Sequence, residues 1–380
     1  MKIEGEWIEA EGVQRVLHLL TDAGHQGLLV GGCVRNALLH QPVADIDIAT
    51  DAVPERVMAL AKAGGLKVVP TGVEHGTVTI IVAGEPHEVT TFRRDVETHG
   101  RHATVAFAAR VEEDAARRDF TMNALYADAD GNVVDPLGGL PDLRARRVRF
   151  VGDAGARIRE DYLRILRFFR FHAWYGDPEA GMDTGALAAC AENSAGTETL
   201  SRERIGHEMR RLLAAPDPAP ALAAMRATGV LGHVLPGADP RAMAPLVHLE
   251  PPYAPDWLRR LAALGGPDPT DALRLSRDEA RRLAVLSDGI GATTGPAELG
   301  YRHGAELARD VLLLRAAMRD APLPPGWETA VARGARAEFP LRAGDLMPGF
   351  VGSELGARLK ELEARWIASG FELSREQLLA

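Results

Sequence analysis

The stretch from Leu28 to Thr50, LLVGGCVRNALLHQPVADIDIAT, constrains the fold more than any other part of the chain. An apolar run, Leu28–Val30, enters Gly31-Gly32, and Val34–Leu39 then reads as a helix. Glycines in such a turn let the backbone approach an anion, and the N-terminus of the following helix favours negative charge. Arg35 adds a fork of donors suited to phosphate. Ile46–Ala49 reads as a strand, on which side chains two apart share a face. Asp45 and Asp47 are thus predicted to point one way while Ile46 and Ile48 point into a core. Two adjacent carboxylates repel unless a cation sits between them, and Mg2+ prefers a carboxylate or two plus substrate phosphates. The pattern suits phosphoryl transfer, one ion activating the attacking hydroxyl and a second stabilising the leaving oxygen. Neither G-x-G-x-x-G nor G-x-x-x-x-G-K-[ST] is present, so this is not a dinucleotide-binding turn or a P-loop.

The remaining chain divides by character. Residues 12–24 and the segment opening at Pro54 read as helices, whereas Leu66–Val69, Thr77–Val82 and Glu88–Phe92 are rich in β-branched residues and read as strands. Glu112–Ala127 reads as a helix, and Val133–Asp135 and Val148–Val151 as short strands. The polar run Arg93–Thr104 reads as a flexible loop. After Gly152 strand signals nearly vanish, and residues 154–380 read as mostly helical. The expected fold class is α+β, with a mixed sheet first and all-α regions after it.

With 380 residues the chain is long enough for two to four domains. Its two cysteines, Cys33 and Cys190, exclude a disulfide framework and fit a reducing cytoplasm. The N-terminus lacks the pattern of a signal peptide, and no apolar stretch is long enough to cross a bilayer, so the expectation is a cytoplasmic protein. A net charge of −9 argues against a nucleic-acid partner. The balance is uneven, however: nine arginines and three acids fall between Arg144 and Arg170, a basic stripe compatible with RNA.

Five stretches, in this order, resemble one family. GGCVRNALL followed by DIDIAT is similar to the first motif of the polymerase-β-type nucleotidyltransferases, and more narrowly of the class II tRNA CCA-adding enzymes and the bacterial poly(A) polymerases. PTGVEHGTVTI and HEVTTFRRD resemble the next strands of that head, RRDFTMNAL its second motif, and REDYLRILRFFRF its nucleotide-recognition motif. The resemblance spans about residues 25–215. It implies a nucleotidyltransferase head over 1–152, a helical neck over 153–240 and a helical body and tail over 241–380 that binds tRNA. It implies Mg2+ on Asp45 and Asp47, with Glu88 a candidate third carboxylate that reads equally well as a surface acid. Gly32, Arg35 and Arg118 match nucleotide contacts, Asp161 and Arg164 match the pair that reads the base, and Arg167 and Arg170 match further arginines of that helix. Asn36 departs from the family, which commonly has Asp there, and a modest effect on how Arg35 is held is expected.

The recognition segment also makes sense physically. Over Ala156–Ala173, Ile158, Tyr162, Ile165, Leu166 and Phe169 form one apolar helical stripe, with Arg157, Asp161 and Arg164 on another face. A carboxylate beside a guanidinium matches the amine and ring nitrogen of cytosine or adenine; uracil lacks the amine. With the resemblance, the expected activity is template-independent addition of C and A to the 3′ end of tRNA, from CTP and ATP, with the 3′ end and acceptor stem as the part of tRNA bound. Poly(A) tailing, addition of only CC or only A, a small-molecule nucleotidyltransferase and a non-catalytic RNA-binding protein remain as alternatives. On the amphipathic segment Ser201–Leu213, Arg204, Arg210 and Arg211 read as a solvated basic face or as phosphate contacts.

Overall fold

The computed structural model describes residues 1–99, 102–347 and 349–380. Two compact units emerge, Met1–Val234 and Leu235–Ala380.

In the first unit the strands are β1 (Gly27–Val30), β2 (Asp47–Thr50), β3 (Lys67–Gly72), β4 (Thr77–Val82), β5 (Glu85–Thr91), β6 (Arg93–His99), β7 (His102–Phe107), β8 (Tyr126–Ala127) and β9 (Val133–Val134). Seven of them form one sheet in the order β3-β4-β5-β2-β1-β8-β9. β2 runs parallel to β5 and antiparallel to β1, so the sheet is mixed as expected. The parallel register sets Asp47 beside Glu88. The helix Glu11–Thr21 buries Val13, Val16, Leu17 and Leu20 and packs on β1, β4 and β5. Leu28, Val30, Ala49, Phe92 and Tyr126 form a separate core cluster.

Four expectations change. The run Arg93–Thr104 is not a loop: β6 and β7 pair antiparallel from Arg93↔Phe107 to His99↔His102, and Gly100 and Arg101 between them lie outside the described residues. Residues 112–127 do not make one helix. The helix Val111–Ala116 stops, because backbone groups beyond it find tertiary partners: Thr121 N–H donates to Arg149 carbonyl (3.0 Å) and Val151 N–H to Asp119 carbonyl (3.0 Å). The Asp119 carboxylate also takes the Phe120 N–H (2.8 Å) and the Asn123 amide (3.0 Å), local bonds that compete with helix. Val148–Val151 contributes only an isolated bridge, Phe120↔Phe150, in place of a strand.

The fourth change lies in the recognition segment. It is two helices, Ala154–Glu160 and Leu163–Tyr175, broken at Asp161, whose backbone is extended (φ −155°, ψ 106°). One Asp161 oxygen accepts from Leu163 N–H (3.1 Å), as a capping aspartate does, and the other accepts from Arg204 (2.6 Å). A cluster of rings seats the second helix on the head: Phe120 lies 5.0 Å from Phe150 and 5.1 Å from Phe171, and Phe150 lies 5.7 Å from Phe168.

The second unit is helical. Gly300 and Gly334 let the helices Pro296–Arg319 and Trp327–Arg336 touch; a Cβ on Gly334 would fall 1.8 Å from the Ala297 carbonyl oxygen. Inside it, Arg259 and Arg260 are fully buried against Glu250, and Arg259 also against Asp310. Among the described residues no helix is long and apolar enough to cross a membrane.

Asp114 holds the first unit's charged interior. It accepts from Arg117 (2.9 Å), Arg118 (3.0 Å) and the Tyr126 hydroxyl (2.7 Å), and from the Arg93 N–H (3.1 Å). Burial opposes its ionisation, yet Arg118 and Arg117 hold its carboxyl down at about 2. Asp114→Ala strands the two guanidiniums and should destabilise the first unit by about 3 kcal/mol, read by hydrogen exchange of the sheet amides. The folded carboxyl titrates below its ordinary value of 3.8, so its stabilisation is complete above that value and fades as pH falls towards about 2. Unchanged exchange in the variant would refute this role.

Candidate active site

A cleft with two adjoining lobes, of about 440 and 430 Å3, opens beside β2; Asp47, Arg118, Asp119 and Arg167 line both lobes. The first lobe adds Glu88, Asp161 and Arg164. The second adds Gly32, Arg35, Asp45 and Arg170. All ten residues singled out in the sequence therefore line one cleft. A cavity of about 480 Å3 in the second unit is lined mainly by apolar side chains such as Leu261, Leu283 and Met318 and carries no arginine or lysine.

The acids of the cleft fall into two sets. Asp119 accepts from Arg167 Nε (2.7 Å), and Asp161 from Arg204 (2.6 Å). Asp45, Asp47 and Glu88 have no hydrogen bond or ion pair from a side chain among the described residues. Burial raises the Asp47 carboxyl above its usual range; Arg118 counters this, and the nearby charge of Asp45 adds to it. β2 begins at Asp47, one residue later than expected, so Asp45 precedes the strand, but both acids reach the same lobe. Like charges on a cavity wall with no cation bonded to them are the donor set a divalent ion fits, with substrate oxygens completing its shell. No group of three His, Cys, Asp or Glu among the described residues makes a metal site on protein ligands alone.

The cations are arranged differently. Arg35 is only 6% exposed, and its hydrogen-bond partners are neutral. Its Nη1 donates to Asn123 Oδ1 (2.5 Å), its Nη2 to Asn36 Oδ1 (2.8 Å) and to the Tyr175 hydroxyl (2.9 Å), and its guanidinium lies 4.1 Å from the Tyr175 ring centroid. Burial pushes its pKa down, because no carboxylate is bonded to it. A buried, uncompensated guanidinium attracts an anion. Asn36, the departure from the family pattern, is thus one of the neutral acceptors that fix Arg35. Arg118 sits on Asp114 and Tyr126; burial opposes its charge, but that hydroxyl and carboxylate hold it above its ordinary range. Gly31 adopts φ +73°, and a Cβ there would lie 3.4 Å from Arg118 Nη1, so the turn needs glycine to sit beside this side chain.

Arg164 donates through Nη1 to the Arg157 carbonyl (2.8 Å) and to Glu160 (2.5 Å). Arg170 is buried with its Nε on Glu208 (2.5 Å), and its guanidinium lies 4.5 Å from the Phe171 ring centroid. Four participants were not singled out for this site in the sequence. Tyr175 and Asn123 hold Arg35, Glu208 holds Arg170, and Arg204 holds Asp161. Arg204 stood out only as a basic residue behind a capping Ser201; its partner lies 43 positions away, beyond any local pattern.

Comparison with known proteins fits this geometry. Residues 28–149 match the poly A polymerase head domain, and residues 182–241 match a region described as the probable RNA and SrmB-binding site of polymerase A. The chain is 40% identical over 315 residues to the CCA-adding enzyme of Geobacillus thermodenitrificans, covering 82% of this chain and 71% of that protein. It is 36% identical over 377 residues to the CCA-adding enzyme of Geobacillus stearothermophilus, covering 93% and 91%. The crystal structure of the Bacillus stearothermophilus CCA-adding enzyme in complex with CTP superposes with a TM-score of 0.75 at 29% identity, over 94% of this chain and 92% of that one. Sequence relatives and fold agree, and the chain belongs to the family of the CCA-adding enzymes, nucleotidyltransferases with a poly A polymerase head.

Proposed function

We propose that this protein adds C and A to the 3′ end of tRNA, using CTP and ATP and releasing pyrophosphate. One observation carries the reading: Asp45 and Asp47, bonded to no side-chain cation among the described residues, share one lobe of the cleft with Arg35, to which no carboxylate is bonded, and Asp47 shares the other lobe with Asp161 and Arg164. Asp45 and Asp47 would hold Mg2+, with Glu88 next to Asp47 across the β2–β5 pairing. When bound, the metal supplies charge neutralisation at the reacting phosphate and lowers the pKa of the attacking hydroxyl.

The protein's own residues orient the reactants. Arg35, Arg118 and the backbone at Gly32 hold the triphosphate, with Arg167 and Arg170 adding positive charge around it. Asp161 accepts from the N4 amine of cytosine or the N6 amine of adenine, and Arg164 donates to the ring nitrogen beside it. The terminal ribose 3′-hydroxyl attacks the α-phosphorus; a P–O bond forms there and the bond to the β-phosphate breaks. The head over 1–152 carries the chemistry, and the helical segments over 153–240 and 241–380 hold the tRNA in the cytoplasm.

The direct assay incubates the protein with tRNA lacking its 3′ end, Mg2+, and CTP and ATP singly and together, sizing products to one nucleotide. Stepwise addition of three nucleotides is expected; a long A tail would favour a poly(A) polymerase. Asp47→Asn should cut addition by about a thousandfold or more with the fold intact by circular dichroism, since the metal contributes most of the charge stabilisation. Substantial residual activity would remove Asp47 from the metal site. Arg204→Ala should free the Asp161 carboxylate, so discrimination of CTP over UTP is expected to fall by about tenfold while pyrophosphate inhibition is unchanged. A parallel loss of pyrophosphate affinity would show that Arg204 acts elsewhere.

A further inference from the structure

The cleft leaves one part of the arginine stripe unused. The short helix Leu140–Arg144 ends in a turn carrying Arg144, Arg146, Arg147 and Arg149, all exposed. Arg149 pairs with Asp142 (2.7 Å), whose carboxylate also takes the Thr121 hydroxyl (2.8 Å). Arg144 touches the Met1 thioether (3.9 Å), and Arg146 and Arg147 have no acidic partner among the described residues. Nearby acids are otherwise engaged or turned to backbone, as in Asp177, whose carboxylate accepts from the Glu179 N–H (2.9 Å).

As at five other non-glycine positions among the described residues, the backbone of this turn holds Arg146 in the left-handed region. Its N–H donates to the Leu143 carbonyl (3.0 Å) and that of Arg147 to the Asp142 carbonyl (2.8 Å), the double bond that closes a helix around a left-handed residue. Glycine belongs at that position, but Arg146 occupies it with φ +47°. A helix C-terminus welcomes one cation, which accounts for Arg144 but not for a strained arginine at the glycine position or for Arg147 beyond it. A backbone bond ties the turn to the segment that walls the cleft: the Arg146 carbonyl accepts from Asp177 N–H (3.1 Å), two residues past Tyr175, which lines the second lobe and whose hydroxyl holds Arg35.

We propose that Arg144, Arg146 and Arg147 form a phosphate-binding edge that grips the backbone of the RNA substrate as it leaves the cleft, a proposal that rests on the cleft being the site of nucleotide addition. Exposed guanidiniums bind phosphodiesters without reading sequence, releasing counterions as they do so. On a chain of net charge −9, such an edge localises an attraction that the molecule as a whole lacks.

The test compares the full-length protein with Arg146→Gly, Arg147→Gln and the double variant. The primary readout is fluorescence anisotropy of labelled tRNA lacking its 3′ end over a salt series, with melting temperature and the KM for CTP alongside. The double variant should bind this RNA about tenfold more weakly, with a log Kd against log salt slope shallower by about one or two. Its KM for CTP should not change. Arg146→Gly, which relieves the left-handed strain, should melt no lower than the wild type, so its loss of RNA affinity cannot come from unfolding. RNA affinity and salt slope equal to wild type in the double variant would overturn the proposal, as would a lower melting temperature for Arg146→Gly. Wild-type protein that binds the tRNA but adds no nucleotide would instead overturn the functional reading and leave the binding comparison intact.

Discussion

Carboxylates and guanidiniums taken out of water are costly unless they find each other, and the first unit is organised by that constraint. Asp114 collects Arg117 and Arg118, Asp119 collects Arg167, Glu208 collects Arg170, and Asp161 collects Arg204. What this pairing leaves over is informative. Among the described residues Asp45, Asp47 and Glu88 have no bonded cation, and Arg35 stands among neutral acceptors. Unbalanced negative and positive charge thus face one cavity, the complement of a metal-bound triphosphate.

Packing converts this balance into geometry. The central strands β1, β2 and β5 fix Asp47 beside Glu88 and behind the Gly31 turn. The rings of Phe120, Phe150, Phe168 and Phe171 lock the helix Leu163–Tyr175 onto the head, so Arg164, Arg167 and Arg170 reach the same cleft as the aspartates. Phe171 links both systems, lying 5.2 Å from the Arg35 guanidinium and 5.2 Å from that of Arg167. Because the ion pairs cross from the head to the helices after it, loss of one partner would disturb the cleft as well as the core.

Much of this was legible in the sequence. Runs rich in β-branched residues announced β3, β4 and β5, and the Gly-Gly turn followed by two aspartates announced a carboxylate pair, although Asp45 precedes β2 instead of sharing it with Asp47. The places of Gly32, Arg118, Arg167 and Arg170 in the cleft were expected from family resemblance alone, since no spacing rule distinguishes them from surface residues. The misread parts share a cause. The helix expected through Asp161 breaks because Arg204 and the Leu163 N–H take its carboxylate, and the helix expected through residues 117–127 breaks because Arg149 and Val151 pair with its backbone. Tertiary partners of this kind override local propensity and leave no mark within a short window. Arg93–Thr104 looked like a loop because its residues are polar, yet a two-stranded ribbon needs paired backbone more than apolar side chains.

The most direct measurement is a crystal structure with Mn2+ and a non-hydrolysable CTP analogue, using anomalous scattering to find the metal. The expected result is metal between Asp45 and Asp47, the triphosphate along Arg35 and Arg118, and the cytosine edge on Asp161 and Arg164. A nucleotide bound with its base away from Asp161, or metal held without Asp45 and Asp47, would contradict the idea that one cleft joins charge neutralisation to base choice.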